Sequence, residues 1–332
     1  MLEHNGEVVR GEGYLPDDLT GRAIQFITAR KDQPFFVLLS LNTPHSPMQV
    51  PDAYWERFRE KPLLKRHRDS TLEDTAFTRA ALAMVENIDD NVGRIRNALE
   101  ALRLQENTIL LFLSDNGPNS YRWNGGMRGR KGSTDEGGVK VPSYIQWKGH
   151  IPAAKQIGQI AGAIDLLPTL ASLAGIDYQP PRPLDGKDLS PLLFGTAEGW
   201  QDRMLMSHWN GATSVRSQQY RLDKKGRLYH MGLDPGQDGD IAAEFAVLAD
   251  SMSRVKQQWL QSIRALSATD DTRPLPVGHP EYPITHLPAR DAIGHGGIER
   301  SNQYPNCSYL TRWNQLDAYI SWEVEVLSEG NF

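Results

Sequence analysis

Two continuous apolar runs of strand length constrain the fold of this 332-residue chain. Residues 35–41 and residues 108–113 both lack the alternation of a half-exposed strand, which is typical of strands that are buried on both faces of a parallel sheet. Between them, apolar residues recur at three- and four-residue steps and predict a long amphipathic helix over residues 72–104. Strand, helix and strand at this spacing predict an α/β fold, with a mainly parallel sheet flanked by helices.

The rest of the chain predicts further elements in the same order. Helices are expected over residues 17–29 and 165–174, and a short strand over residues 142–147; Gly175 is a suitable residue to end the second helix. After about residue 200, short apolar runs separated by turn residues predict a small antiparallel sheet. Its strands are expected at residues 204–207, 213–215, 220–222 and 228–230. A helix over residues 241–266, a linker over 267–290 and a strand-like alternation over 319–326 follow.

These patterns divide the chain into three expected parts. Residues 1–200 form the main α/β domain, residues 201–266 a small antiparallel subdomain with its helix, and residues 267–332 a linker with a β-rich appendage. A net charge of −5 gives no indication of nucleic-acid binding. One cysteine excludes an intrachain disulfide framework and a Cys-rich zinc site. We find no apolar run long enough to span a membrane, and the polar residues 1–13 do not resemble a signal peptide.

The most informative motif follows the run at residues 108–113. Asp115, Asn116 and Gly117 come directly after it, and a loop with six glycines within residues 125–138 comes next. Asp-Asn-Gly alone is also ordinary turn chemistry. The glycines favour close approach of the backbone to a ligand, and the loop region contains Arg122, Arg128, Arg130 and Lys131. Hard oxygen ligands at a strand end, facing a basic glycine loop, can hold a divalent cation and an oxyanion together.

The motifs in this order resemble the second half of the catalytic domain of sulfatases of the arylsulfatase type, within the alkaline-phosphatase-like superfamily. The resemblance covers residues 14 to about 260. The matching pieces are KDQPFFVLLSLNTPHSP at 31–47, ENIDDNVGRI at 86–95, LSDNG at 113–117, GRKGSTDEGG at 129–138, VKVP at 139–142, AIDLLPTLASLAGI at 163–176, LDGKDLSPLL at 184–193 and GRLYHMGLDP at 226–235.

The first half of the sulfatase pattern has no counterpart in this sequence. That half supplies a strand ending in two metal-binding aspartates, and a Cys or Ser in C/S-x-P-x-R that becomes the formylglycine nucleophile. Cys307, the only cysteine, stands in PNCSYL, and no Ser-x-Pro-x-Arg occurs. The Asp pairs at 17–18, 89–90 and 270–271 do not follow a predicted strand. The resemblance therefore implies a sulfatase chain that is truncated at its N-terminus, inactive alone and left with an exposed apolar sheet edge.

The resemblance implies roles for particular residues. Asp115 and Asn116 match metal ligands for Ca²⁺ or Mg²⁺, Lys131 matches the lysine that contacts the sulfate, and His45 matches a histidine that contacts the sulfate or the leaving oxygen. Glu136 and its neighbour at 135 are expected to fix the loop. Five further residues are candidate substrate ligands, with loop packing or a strand-end histidine as the alternative interpretation: Arg122, Trp123, Arg128, Arg130 and His208.

The implied activity is hydrolysis of sulfate esters, with a sulfated carbohydrate or aryl ester as substrate and an alcohol and sulfate as products. One alternative is a non-catalytic remnant that binds sulfated glycans through its arginine loop. A second alternative is a phosphoesterase of the same superfamily. The family is commonly exported, which implies a periplasmic or secreted location.

Overall fold

The computed structural model describes residues 2–266, 274–282, 284–301 and 308–330. They form two compact units: a main unit, Gly13–Ala265, and a terminal unit, Met1–Glu12 with Leu266–Phe332. Cys307, the Asp pair at 270–271 and residues 267–273 of the expected linker lie outside the described residues.

The helices and strands of the described residues are the following. The helices are α1 Leu15–Ala29, α2 Asp52–Phe58, α3 Thr75–Ala101, α4 Glu136–Val139, α5 Leu166–Leu173, α6 Ser190–Phe194 and α7 Ala246–Leu266. The strands are β1 Leu2–His4, β2 Glu7–Val9, β3 Leu110–Leu113, β4 Ser143–Gln146, β5 Leu205–Trp209, β6 Ala212–Arg216, β7 Tyr220–Leu222, β8 Leu228–His230, β9 Leu275–Val277, β10 Ile293–Gly294, β11 Glu299–Arg300, β12 Leu310–Thr311, β13 Ile320–Ser321 and β14 Val324–Val326. In this part of the chain, no helix is long and apolar enough to cross a membrane.

Helix α3 confirms the longest predicted helix, with tighter ends. Asp74 precedes it and accepts a hydrogen bond from the Phe77 backbone at 3.0 Å, which caps the first turn and sets the start at Thr75. Of the predicted apolar face, Ala80, Met84, Ile88 and Leu99 are buried, and Ala81 and Ala83 are buried beside them. The side chains of Asn87 and Asn91 donate to Asp17 at 2.9 and 2.7 Å, which fastens α3 to α1. Asp17 is therefore a structural residue in the first turn of α1.

The expected strand at residues 35–41 is wrong. That segment forms no strand, and the side chains of Phe36 and Leu38 are 75% and 78% exposed. A strand needs a hydrogen-bonded neighbour, and within the described ranges none pairs with this segment. The second run does form β3, which pairs antiparallel with β4 so that Leu111 lies opposite Ile145. The wide parallel sheet expected from these runs is thus not formed by the residues described.

The predicted antiparallel sheet is confirmed. Strands β5 to β8 pair in chain order, each antiparallel to the next. Val215, Leu222 and Leu228 are fully buried against Met252 of α7. Helix α7 starts at Ala246 rather than at residue 241, because the Ile241 backbone donates to Leu228 at 2.9 Å and continues the pairing at β8. The predicted helix over residues 165–174 is also confirmed as α5, and Gly175 follows it with φ +66°.

The terminal unit consists of short strand pairs. β1 and β2 form a hairpin around Asn5 and Gly6, whose φ values are 54° and 85°. This is the left-handed conformation that a tight hairpin turn requires. β9 pairs with β14 in parallel, while β10 with β13 and β11 with β12 are antiparallel. The described part of residues 274–330 thus contains six short strands and a 3-10 turn at Ala289–Asp291, and its assignment as a β-rich appendage stays a prediction.

Candidate functional site

The turn after β3 packs directly against the glycine-rich loop. The Gly117 backbone donates to the Gly138 carbonyl at 2.9 Å, and the Lys131 backbone donates to the Pro118 carbonyl at the same distance. A Cβ atom on Gly117 would lie only 1.9 Å from the Gly137 carbonyl oxygen, so only glycine fits here. The two segments that contain the predicted metal and sulfate ligands are thus joined backbone to backbone.

Asp115 and Asn116 have the chemistry of hard-cation ligands. Asp115 is exposed, and one of its carboxylate oxygens accepts from the Asn116 backbone at 2.8 Å. The Asn116 side-chain nitrogen donates to Gly117 at 2.9 Å, and no bond engages its side-chain oxygen in the described ranges. Ca²⁺ takes about 6–8 oxygen ligands. The pair therefore fits one part of such a shell; the described residues contain no group of three or more His, Cys, Asp or Glu able to hold a metal.

Lys131 and His45 differ in how they are placed. Lys131 is half-buried, and its ammonium forms no hydrogen bond or ion pair within the described residues. His45 is exposed, and its Nδ1 lies 2.7 Å from the Ser46 carbonyl oxygen. Among the residues described, no hydrogen bond or ion pair joins His45 to Asp115, Asn116 or Lys131. The structure thus brings three of the four predicted site residues onto neighbouring segments and leaves His45 without a direct link to them.

Two of the candidate substrate arginines have different partners. Arg128 donates to the Tyr229 hydroxyl at 3.0 Å and to the Gln237 carbonyl at 2.8 Å, so its side chain holds the loop to the antiparallel sheet. Arg130 donates to the Asn119 carbonyl at 2.6 Å. Its guanidinium carbon lies 4.6 Å from the centre of the Tyr121 ring, within cation–π distance. Arg128 is accounted for by packing, whereas Arg130 keeps donors available.

The other candidate ligands are placed as follows. Arg122 is half-buried, and burial lowers its pKa; its Nε is buried without a hydrogen-bond partner in the described part of the chain. Trp123 is 53% exposed at the loop surface. His208 is exposed on β5, and its Nδ1 lies 2.6 Å from the Thr213 hydroxyl. The contacts of His208 are those of a strand-end histidine, and its role as a ligand stays a prediction.

A buried ion-pair cluster anchors the glycine-rich loop to the antiparallel sheet. Glu136 lies 2.9 Å from Arg221 and 3.3 Å from Arg216, and the side chains of Glu136 and Arg221 are almost fully buried. Burial alone would raise the pKa of Glu136, but the two arginines outweigh it and lower the pKa. Arg221 and Ser214 also donate to the Thr134 carbonyl, each at 2.6 Å. These contacts agree with the interpretation that Glu136 fixes the loop.

The structure also contains a cleft that the sequence interpretation missed. It has a volume of about 600 Å³ and lies between residues 67–69 and the glycine-rich loop, with Arg128 and Arg130 in its lining. The basic run KRHRDS at residues 65–70 was the available signal. That run is too common a surface pattern to identify a site alone, and the glycine loop begins more than fifty residues later.

Comparisons with known proteins agree on one family. A sequence model of the family "Sulfatase" matches residues 3–176, just over half of the chain. Human arylsulfatase A is 34% identical over 202 residues, which cover 58% of this chain and 36% of that protein. The uncharacterized sulfatase YdeN of Escherichia coli K12 is 32% identical over 220 residues, 63% of this chain and 37% of that protein. The chain thus spans little more than a third of the length of these relatives.

Solved structures are similar in fold. Ps i-CgsB superimposes with a TM-score of 0.67 at 29% identity, over 77% of this chain and 57% of that one. A second structure contains Ps i-CgsB in complex with k-i-k-neocarrahexaose, with the same TM-score and coverage. The PsFucS1 sulfatase from Pseudoalteromonas sp. has a TM-score of 0.62 at 19% identity, over 77% of this chain and 54% of that one. These likenesses show an α/β fold of the alkaline-phosphatase-like type.

Proposed function

This chain belongs to the sulfatase family. We propose that it functions in the hydrolysis of sulfate esters by binding the ester and a divalent cation, with sulfated carbohydrates as its substrate class. The observation that supports this most directly is the backbone pairing of the turn after β3 with the glycine-rich loop. It brings two hard oxygen ligands and a lysine onto adjacent segments. This is the combination that a divalent cation and a sulfate group require together.

Each site residue has a chemical task in this proposal. The Lys131 ammonium binds the sulfate and neutralises charge that develops on it during transfer. Asp115 and Asn116 hold part of the shell of Ca²⁺ or Mg²⁺, and the cation, when bound, neutralises the sulfate. His45 can donate a proton to the departing oxygen of the ester once substrate brings the two together.

The residues present do not fit the formylglycine nucleophile of the family. The 332 residues contain neither Cys-x-Pro-x-Arg nor Ser-x-Pro-x-Arg, and Cys307 lies outside the described residues. We therefore assign the nucleophilic attack on sulfur to no residue of this chain. The proposal covers recognition of the sulfate ester and of the cation, and it predicts no sulfate release by these 332 residues alone.

The substrate class is supported by one structural relative. Ps i-CgsB, at 29% identity, has been solved in complex with k-i-k-neocarrahexaose, an oligosaccharide. The exposed Trp123 beside the glycine-rich loop supplies an aromatic face of the kind on which sugar rings stack.

Calorimetric titration tests the proposal. The full chain, in Ca²⁺, is titrated with a sulfated hexasaccharide, its desulfated form and a phosphorylated sugar. We expect saturable binding of the sulfated sugar only, and Lys131→Ala should weaken it by about tenfold or more, because a charged hydrogen bond is lost. Lys148→Ala is the matched control, because it removes an exposed lysine that lies two residues after the end of β4. Equal effects of the two substitutions, or preference for phosphate, would contradict the proposal.

The alternative function is non-catalytic binding of sulfated glycans through the arginine loop. Both functions predict binding of sulfated glycans, but they differ in their dependence on the cation. If binding uses the proposed site, Asp115→Asn and removal of Ca²⁺ should each weaken it, and the two effects should not add. If the arginine loop alone binds the glycan, affinity should be insensitive to both changes. Ion chromatography of the same samples measures whether sulfate is released.

A further inference from the structure

The cleft of about 600 Å³ lies within the main unit and is separate from the proposed metal ligands. One wall is formed by residues 67–69 and the other by the glycine-rich loop, whereas Asp115, Asn116 and Lys131 do not line it. Its volume falls in the range of small-molecule sites, about 300–1,000 Å³. The cleft therefore has room for a ligand group of its own.

The side chain of Arg130 is fixed in this cleft by two contacts. One of its nitrogens donates to the Asn119 carbonyl, and the guanidinium lies over the Tyr121 ring. The His67 ring meets Tyr121 edge-on, with centroids 5.3 Å apart and an angle of 75° between planes. A guanidinium has five N–H donors. Arg130 has no carboxylate partner and no second hydrogen bond among the described residues, so most of its donors are free for a ligand.

The remaining cleft residues add acceptors. Arg68 is already neutralised, because it pairs with Asp238 and donates to the Gly236 carbonyl. One oxygen of Asp69 accepts from Thr71, whereas Asp135 accepts with both oxygens, from Ser133 at 3.1 Å and from Gln237 at 3.4 Å. Neither carboxylate forms an ion pair with a cation in the part of the chain described. The cleft thus offers hydroxyl acceptors beside an unpaired guanidinium, which favours an anionic sugar over a simple inorganic anion.

We propose that this cleft is a second carbohydrate subsite, in which Arg130 binds a sulfate on the sugar unit next to the one whose sulfate Lys131 holds. The inference rests on the proposed function, because it takes Lys131 as the ligand of the first sulfate. Arg130 directly precedes Lys131 in the chain, and their Cα atoms are about 3.8 Å apart. A planar guanidinium binds two sulfate oxygens at once. Asp69 and Asp135 accept hydrogen bonds from the hydroxyls of the same unit. The preferred substrate is then an oligosaccharide with sulfates on neighbouring units.

The test compares two sulfated probes on the full chain in Ca²⁺. Calorimetry gives the dissociation constants of a monosulfated monosaccharide and of a hexasaccharide with sulfates on neighbouring units. Arg130→Gln should reduce the hexasaccharide-to-monosaccharide affinity ratio by about tenfold, because the charged hydrogen bonds to the second sulfate are lost. Arg130→Lys keeps the charge without the fork and should reduce the ratio less. Arg96→Gln changes an exposed arginine of α3 and should leave the ratio unchanged.

The outcomes separate this proposal from the one on which it rests. If Lys131→Ala weakens both probes but Arg130→Gln leaves their ratio unchanged, the subsite is refuted and the proposed function stands. If neither probe binds saturably to the chain, both proposals fail. Circular dichroism of Arg130→Gln verifies its fold, and Arg130→Lys replaces it as the deciding variant if the glutamine form does not fold.

Discussion

Glu136→Gln tests whether the buried ion-pair cluster holds the glycine-rich loop. The substitution keeps the side-chain shape but removes the charge opposite Arg221, whose side chain is only 3% exposed. Arg221 retains hydrogen bonds to Thr134 at 2.6 Å and to Ser214 at 2.8 Å, yet its charge has no buried counter-ion. Breaking a buried pair in this way costs about 3–5 kcal/mol. With a urea dependence of about 2 kcal/mol per molar, the unfolding midpoint should fall by roughly 1.5–2.5 M.

Urea unfolding followed by tryptophan fluorescence measures this change. Glu56→Gln is the matched control, because Glu56 pairs with Arg59 at 3.1 Å with both side chains more than half exposed. It should cost less than about 1 kcal/mol. Adding Arg221→Met to Glu136→Gln removes both buried charges and should recover part of the loss. A midpoint shift for Glu136→Gln no larger than the control would refute the reasoning.

Three further predictions concern stability and association. Burial raises the pKa of Glu136, Asp165 and Asp223. Hydrogen bonds and arginine charges lower it by more than burial raises it, so the pKa of each carboxylate in the folded protein lies below its ordinary value. The stability that these carboxylates supply is complete above about pH 4.5 and is lost on acidification. The urea concentration at the unfolding midpoint should therefore decrease as the pH is lowered below 4.5, and an increase would contradict this. Gly117→Ala should cost at least about 1–3 kcal/mol by overpacking, whereas Gly93→Ala in α3, with open space around its Cβ, should stabilise by up to about 1 kcal/mol; equal urea midpoints would contradict this. Phe36, which is 75% exposed, should promote self-association that Phe36→Ser reduces; an unchanged monomer fraction in sedimentation would disprove it.

The local elements of this fold could be predicted from the sequence, but their partners could not. The buried face of helix α3 could be predicted because its apolar residues recur at three- and four-residue steps in the sequence. An apolar run predicts a buried strand but not the strand that pairs with it, and no described strand pairs with residues 35–41. The apolar period predicts a start for the helix after β8 that is five residues too early, because it cannot show that the Ile241 backbone donates to Leu228.

The same limit applies to the candidate site. Asp115, Asn116 and Lys131 could be proposed together because they occur in recognisable motifs within seventeen residues. Arg128 looked like a ligand of equal standing to Arg130, and only the three-dimensional contact with Tyr229 separates them. Glu136 and Arg221 are 85 residues apart in the chain, and no sequence pattern in either segment predicts that they pair.

The antiparallel sheet helps to hold the candidate site in place. The loop containing Lys131 is fixed on one side by the turn after β3, through the bonds of Gly117 and Lys131 to their neighbours. On the other side it is fixed through Glu136, whose side chain pairs with Arg221 of β7 and whose backbone N–H donates to the side chain of Gln237, after β8, at 2.9 Å. A loop with so many glycines has high conformational entropy when it is free. The positions of Lys131 and Arg130 thus depend on both anchors, and loss of either anchor should weaken the proposed sulfate binding even though no proposed ligand is changed.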